Sequence, residues 1–437
     1  GGEELDGAKP ELIQLAVAAA RDPELLLPEL SWLVTDDAKN GYEFGVSLGR
    51  VDDLKLWSLI LLAWTQATEK QSDLFIGGYL SAVHDRNVTL WEGLVETLLS
   101  NDKNRQLALG VVWRSGISDR IARLMLDLAK QGEIDPRSLS LFIYGGGVNQ
   151  FPLTVLEGVI DLLLGIDDSI APEAALDLLD SRLRGHPDEG IVLSRRIEQT
   201  LGASTFVEGQ EHLGFNNMLL YRWNEVANRL LELDADAAAN LAVRLIENFA
   251  RRNSVTAGYR PDPLKFLFNV AKVKPDVVWT AVARRLESPK DFGTWQVLNW
   301  LRGSLSLRGD VLAGLDALPS HMVFEWVDGA PADRAWILAE RCPPIISKPG
   351  ETPSFARQML ERYAHIENVR RSLHANSSSG AWRGPASEHY RGKLEEIEAL
   401  LAIETNANVR MWLKERTEQL QATVEHELER ELREREY

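Results

Sequence analysis

Residues 262–291 read DPLKFLFNVAKVKPDVVWTAVARRLESPKD, and this stretch decides the fold class. Apolar residues recur at helical spacing on both sides of Lys274-Pro275. Proline is accepted in the first turn of a helix, where its missing N–H has no partner in any case, and is rejected further in. The spacing therefore predicts two helices broken at Lys274-Pro275, a hairpin within about thirty residues. The same grammar recurs to the N-terminal side. In FPLTVLEGVIDLLLG (151–165), Pro152 suits the first helical turn and Gly165 a left-handed exit. IDDSIAPEAALDLLDSRLRG (166–185) repeats it with Pro172 and Gly185. Pro319, Pro331 and Pro353 open further helices of roughly ten to fourteen residues.

Further upstream, Leu54, Trp57, Leu61 and Trp64 fall at three- and four-residue steps, predicting one apolar helical face. Residues 88–100, 104–113 and 118–131 behave alike. Strand signals are sparse. SLFIYGGGV (140–148) reads equally as a strand and turn or as a helix ending at a glycine cluster.

Short amphipathic helices in succession each expose an apolar face that only a neighbour can cover. The expected fold is all-α: an α-solenoid of irregular HEAT-like helical hairpins, with repeats of about 35–45 residues. The strict tetratricopeptide pattern and the T-P-L-H turn of ankyrin repeats are not matched. The helical rhythm is interrupted between Arg184 and Asn217, which suggests arrays at 1–210 and 211–437 in one continuous solenoid that changes direction. From Asn406 the pattern places Val409, Trp412 and Leu413 inward. Beyond Val424 the helix carries mostly charge, with Leu428 and Leu432 among the pairs Glu429–Arg433 and Glu431–Arg435. A solvated helical end fits this, with a short coiled-coil contact as the alternative.

Composition narrows the function classes. The 437 residues are 45% apolar and carry a net charge of -17. That balance disfavours a general binder of nucleic-acid backbone or anionic lipid. The pairs Arg195-Arg196, Arg251-Arg252, Arg284-Arg285 and Arg370-Arg371 fit exposed helical flanks. A single cysteine, Cys342, excludes an internal disulfide and any multi-cysteine metal site, and points to a reducing, cytoplasmic location. No apolar run is long enough to span a membrane, and no signal peptide opens the chain. The start Gly1-Gly2-Glu3, without Met, suggests a piece of a longer protein.

Motifs for chemistry are missing. Gly145-Gly146-Gly147 lacks the Lys and hydroxyl residue of a phosphate loop, and there is no G-x-S-x-G elbow. HELER at His426 lacks the second histidine of H-E-x-x-H. Glu287 and Lys290 are one residue too far apart for a carboxylate-lysine nuclease pattern, and they sit in helix. No catalytic residue, cofactor or metal site is expected. Of the 13 tryptophans, eleven are read first as core. These are Trp57, Trp64, Trp113, Trp223, Trp279, Trp336 and Trp412, with Trp32, Trp295, Trp300 and Trp326 read the same way. Trp382 differs, standing in a polar loop as either a plug between repeats or an exposed anchor for a partner.

That loop lies in residues 366–393, IENVRRSLHANSSSGAWRGPASEHYRGK, where special residue types crowd together. The run Leu373-His374-Ala375-Asn376, the Gly380-x-Trp382 and Gly384-Pro385 steps, His389-Tyr390 and the closing Asn408-Val409-Arg410-x-Trp412 carry a resemblance. Weaker echoes lie at Gly77, Trp113 and Leu230. The chain resembles the C-terminal helical-repeat region of bacterial antiphage-defence proteins of the STAND NTPase kind, including Avs-like sensors. The resemblance implies a non-catalytic sensor that binds a protein partner, such as a phage protein, within a parent that carries NTPase and effector domains and could oligomerise. Trp382, His374, Asn376, His389, Tyr390, Arg370 and Arg371 are the candidate partner-binding residues. The alternatives are a nucleic-acid-binding or processing helical-repeat protein and a structural scaffold.

Overall fold

The computed structural model describes all residues except 1, 68–70, 169, 204–205, 207–216, 250–260, 288–291, 306–310, 343–345, 379–383 and 436–437. The chain is all-α, and its contacts divide it into two compact units. One comprises Gly1–Thr205 with Gln210–Val226, the other Phe206–Gly209 with Ala227–Tyr437.

The first unit holds α1 (Gly2–Arg21), α2 (Leu30–Leu33), α3 (Gly41–Val51), α4 (Trp57–Gln66), α5 (Leu74–Arg86) and α6 (Val88–Leu99). It continues with α7 (Arg105–Ser115), α8 (Asp119–Lys130), α9 (Leu153–Leu164), α10 (Ile170–Gly185) and α11 (Gly190–Leu201). The division between units falls within α12 (Asn217–Leu233). Helices pack on near neighbours in sequence: α3 on α5, α5 on α7, α6 on α8, α9 on α11. Helices α3 and α5 pack at close range, and glycine makes it possible. A Cβ on Gly45 would lie 2.2 Å from the Phe75 carbonyl oxygen, and one on Gly78 would lie 2.1 Å from that of Tyr42. Two backbones therefore touch where side chains would otherwise hold them apart.

Several sequence expectations shift in register. Leu54 is not on the α4 face: it precedes the helix with φ of 64°, and the buried residues are Leu56, Ile60 and Trp64. The tight turn is held by buried Asp52, whose Oδ2 accepts from Tyr79 Oη at 2.6 Å and Leu56 N at 3.0 Å. Burial and this hydrogen bond both push the Tyr79 phenol above its ordinary value. Pro152 caps α9 from outside, and Gly165 ends it in right-handed conformation. Gly185 is the last residue of α10, and Asn149 packs where its side chain would be. The stretch 140–148 is neither strand nor α-helix. It lies in a 3-10 run, Pro136–Gln150, kinked where Gly145 and Gly146 take φ of 66° and 73°.

The second unit contains α13 (Ala235–Phe249), α14 (Pro261–Val273), α15 (Pro275–Leu286), α16 (Phe292–Arg302), α17 (Gly314–Ala317) and α18 (Ser320–Asp328). Then come α19 (Pro331–Ala339), α20 (Phe355–Tyr363), α21 (Glu367–Ser378), α22 (Ala386–Ile403) and α23 (Ala407–Arg435). The α14–α15 hairpin breaks at Lys274, as its sequence predicts. The helices at Pro319, Pro331 and Pro353 are each 9 residues, shorter than expected. One two-residue antiparallel ladder, Ser304–Leu305 with Val311–Leu312, interrupts the helices. Neighbour packing again dominates, with α13 on α15, α15 on α18, α19 on α21, and α22 along α23.

The core is aromatic-rich, and among the described residues its largest fully buried side chains are Trp91 and Trp412; Trp91 Nε1 donates to Ser115 Oγ at 2.9 Å. Trp64, Trp223, Trp279, Trp300 and Trp412 are buried, whereas Trp57, Trp113, Trp326 and Trp336 are half-buried. Trp32 and Trp295 are surface residues, 49% and 44% exposed, contrary to their core reading.

Candidate functional site

The last helices build a cleft of about 490 Å³ from two facing stripes. α21 supplies Glu367, Arg370, Arg371 and His374, and α23 supplies Glu415, Glu418, Gln419 and Ala422. Both sets repeat at three- and four-residue steps, so each wall is one helix face.

The inner faces of the same helices fix the walls. Val369 and Leu373 on α21, with Val409, Trp412, Leu413 and Leu420 on α23, are buried. Burying a side chain of this size contributes about 1.5–3 kcal/mol. α23 starts cleanly because Asn406 Oδ1 accepts from Asn408 N at 3.0 Å and Val409 N at 3.2 Å. At its far end Glu431 reaches back to α22, where its carboxylate accepts from Ser387 N at 3.0 Å and Ser387 Oγ at 2.7 Å. That acceptor satisfies an otherwise unbonded first-turn N–H of α22. The exposed pair Glu429–Arg433 forms at 3.2 Å, while Glu431 is engaged with Ser387.

At the floor of the cleft, the His374 ring stacks on Trp412, with centroids 4.7 Å apart and 10° between planes. His374 Nε2 lies 3.4 Å from Glu415 Oε2. A carboxylate only accepts, so the imidazole carries its proton on Nε2. Arg370 Nε donates to the same Glu415 oxygen at 3.1 Å, and its Nη1 donates to Ala364 O at 2.5 Å. Trp412 Nε1 donates to Arg370 O at 3.3 Å. Burial pushes the His374 imidazole below its ordinary value, and Arg416 and Arg370 add to this against the opposing pull of Glu415. The neutral form of His374 is thus favoured. Arg371 pairs with Glu367 at 2.6 Å in solvent.

Of the seven predicted site residues, Arg370, Arg371 and His374 line this cleft. Asn376 does not: it is buried and donates through Nδ2 to Cys342 O, tying α21 to the end of α19. His389 and Tyr390 sit together on α22, ring centroids 5.3 Å apart, and are not among the lining residues. Trp382 lies outside the described residues, as do Arg251 and Arg252. Sequence reading missed Glu415, the acceptor shared by Arg370 and His374. The 41 residues separating it from His374 hide the pairing.

A second groove, about 500 Å³, runs between α15 and α18. Trp279 and Trp326 meet edge to face there, centroids 5.7 Å apart. Trp326 Nε1 donates to Glu287 Oε1 at 3.0 Å, Arg334 Nη2 donates to the same oxygen at 2.6 Å, and the Arg334 guanidinium covers the Trp326 ring. Trp326 was read as core; half-buried, it forms a groove wall instead.

Neither place offers a nucleophile poised beside a base. The Cys342 thiol is fully buried, and burial pushes its pKa up to about 12. Among the described residues no cluster of three or more His, Cys, Asp or Glu could hold a metal, and no helix is long and apolar enough to cross a membrane. In comparisons with family models, with curated proteins and with solved structures, none matches this chain.

Proposed function

We propose that this chain is a non-catalytic protein-recognition module, built as an α-solenoid of HEAT-like hairpins. In this reading it is the target-sensing region of a bacterial antiphage-defence protein of the STAND NTPase kind, acting in the cytoplasm. The observation that carries the proposal is the α21–α23 cleft, whose walls are two helix faces carrying both charge signs. Its polar groups are bonded to one another rather than arranged around a reacting centre. Such a surface suits a polar polypeptide segment better than a small substrate. The neighbour-on-neighbour packing within each unit supports the solenoid part, because stacked hairpins contact chiefly what adjoins them in sequence.

The nucleic-acid reading requires an unbroken cationic track. Arginines of three predicted pairs are instead matched with carboxylates. Arg196 bonds Glu157 and Asp161, Arg284 lies 3.7 Å from Glu247, and Arg370 and Arg371 bond Glu415 and Glu367.

The test is affinity capture from phage-infected cells, using the wild-type chain beside Arg371→Glu/Glu418→Lys, which reverses two exposed charges at the cleft. A viral protein held by the wild type, released by added salt and weakened by the charge reversal is the expected result. Recovery of host nucleic acid alone overturns the proposal.

A further inference from the structure

The buried stripe of α23 runs through Val409, Trp412, Leu413, Leu420 and Val424, and Arg416 stands within it, 5% exposed. Helical periodicity calls for an apolar residue at that step. Arg182, Arg357 and Arg416 are the buried arginines among the described residues. The first two are matched: Arg182 is bidentate to Glu189 at 2.6 and 2.7 Å, and Arg357 is bidentate to Glu404 at 2.7 and 3.0 Å. Arg416 has a single long hydrogen bond within its own helix, Nη1 to Gln419 Oε1 at 3.5 Å. Among the described residues no carboxylate pairs with it.

A second cation, on α22, feels its charge. Lys393 on α22 donates from Nζ to Ser377 O at 3.2 Å. Burial lowers the Lys393 amine below its ordinary value, and the Arg416 charge lowers it further against the opposing pull of Glu396. Burial likewise lowers the Arg416 guanidinium. Two cations thus share a polar layer between α21, α22 and α23. Of the two, Arg416 is the one buried without a carboxylate partner among the described residues, an arrangement that disfavours the folded state. Gln419 and His374, which line the α21–α23 cleft, are the groups on that side of Arg416.

We propose that Arg416 and Lys393 form a site for a compact oxyanion, of phosphate or carboxylate type, reached from the cleft past Gln419 and His374. The guanidinium fork matches two oxygens of either group, and the ammonium adds a point charge. The site is independent of the partner reading, and its test needs no partner.

Thermal unfolding of the full chain in chloride, phosphate and acetate, at one pH and one ionic strength, decides it. Phosphate or acetate should raise the wild-type midpoint by about 3 °C at ten times its dissociation constant, and the anion that does so names the source. Arg416→Met continues the apolar stripe, so its midpoint in chloride should equal or exceed the wild type's while the anion shift disappears. General stabilisation by excluded salts acts on both proteins alike and is removed by the comparison. Lys393→Met, at a half-buried position, should weaken the apparent anion affinity at least threefold, and it carries the test if Arg416→Met does not fold. A wild type indifferent to both anions, a full shift in Arg416→Met, or unchanged affinity in Lys393→Met overturns the proposal.

Discussion

Replacing Arg357 by Met should be among the most damaging single changes in the second unit. The Glu404 side chain is completely buried at the turn between α22 and α23. Its carboxylate accepts from Arg357 Nη1 at 2.7 Å and Nη2 at 3.0 Å, and from the backbone N–H groups of Thr405 at 2.9 Å and Asn406 at 2.8 Å. Arg357 also holds Glu361 Oε1 at 2.8 Å and Ser347 O at 3.0 Å. Removing one partner of a buried pair costs about 3–5 kcal/mol, because the other charge stays behind. Two amide donors remain on Glu404, which places the expected loss near 3 kcal/mol. For a unit of this size that lowers the midpoint by roughly 6–12 °C.

Urea unfolding followed by circular dichroism measures the loss. Amide hydrogen exchange at Thr405 and Asn406 locates it. The double variant Arg357→Met/Glu404→Leu should recover more than half of the loss, since no charge is then buried. It should stop short of the wild type, because the two amides lose their acceptor. The acid side gives a second signature. Burial alone raises the Glu404 carboxyl, but the hydrogen bond from Arg357, the Asn406 and Thr405 amides and the Arg357 charge together hold it below the ordinary value of 4.5. A carboxyl lowered by folding contributes stability above its unfolded value, and that stability is lost as pH falls through the folded value. A loss under about 1 kcal/mol in Arg357→Met, the range of an exposed pair, would refute the reasoning.

Gly78→Ala should cost about 2 kcal/mol by forcing α3 and α5 apart, whereas Gly93→Ala, with nothing within 4 Å, should gain up to about 1 kcal/mol. Paired melting curves check this, and equal effects of the two would show that backbone contact does not set the α3–α5 spacing. His374→Phe keeps a ring on Trp412 and removes the titration. Wild-type urea midpoints should fall as pH drops below 6.5, because the unfolded imidazole takes up its proton first, while the variant stays flatter between pH 7.5 and 5.5.

Punctuation was legible in the sequence wherever the chemistry of one residue decides it. Pro275 ends one helix and starts another without help from the rest of the chain. Register was less legible where a tertiary contact chooses it. Leu54 and Leu56 are equally apolar, and Asp52 bonding to Tyr79, 27 residues away, puts Leu56 into the core. Gly45 and Gly49 mark a helix face by spacing alone, yet what they admit is the backbone of α5. In the candidate site, Arg370, Arg371 and His374 share a face by simple helical spacing. Their acceptor Glu415 comes from the opposite wall, which no local pattern reveals. Arg416 was readable after all, as a charge inside the stripe of Val409, Trp412, Leu413 and Leu420.

The crowding of polar residues in 366–393 has a structural reason. Asn376 donates to Cys342 O, Lys393 to Ser377 O, Arg370 to Ala364 O, and Ser387 to Glu431. Most of these bonds run to carbonyls near helix ends, which lack partners within their own helix. Groups used in this way are not available as nucleophile or base. They set the positions of α19, α21, α22 and α23 instead, so the cleft walls are fixed before anything binds. A preformed surface spares the association much of the ordering cost that a flexible one incurs. The polar residues of 366–393 thus act through the packing, by holding Arg371, Glu418 and Gln419 in place along the cleft.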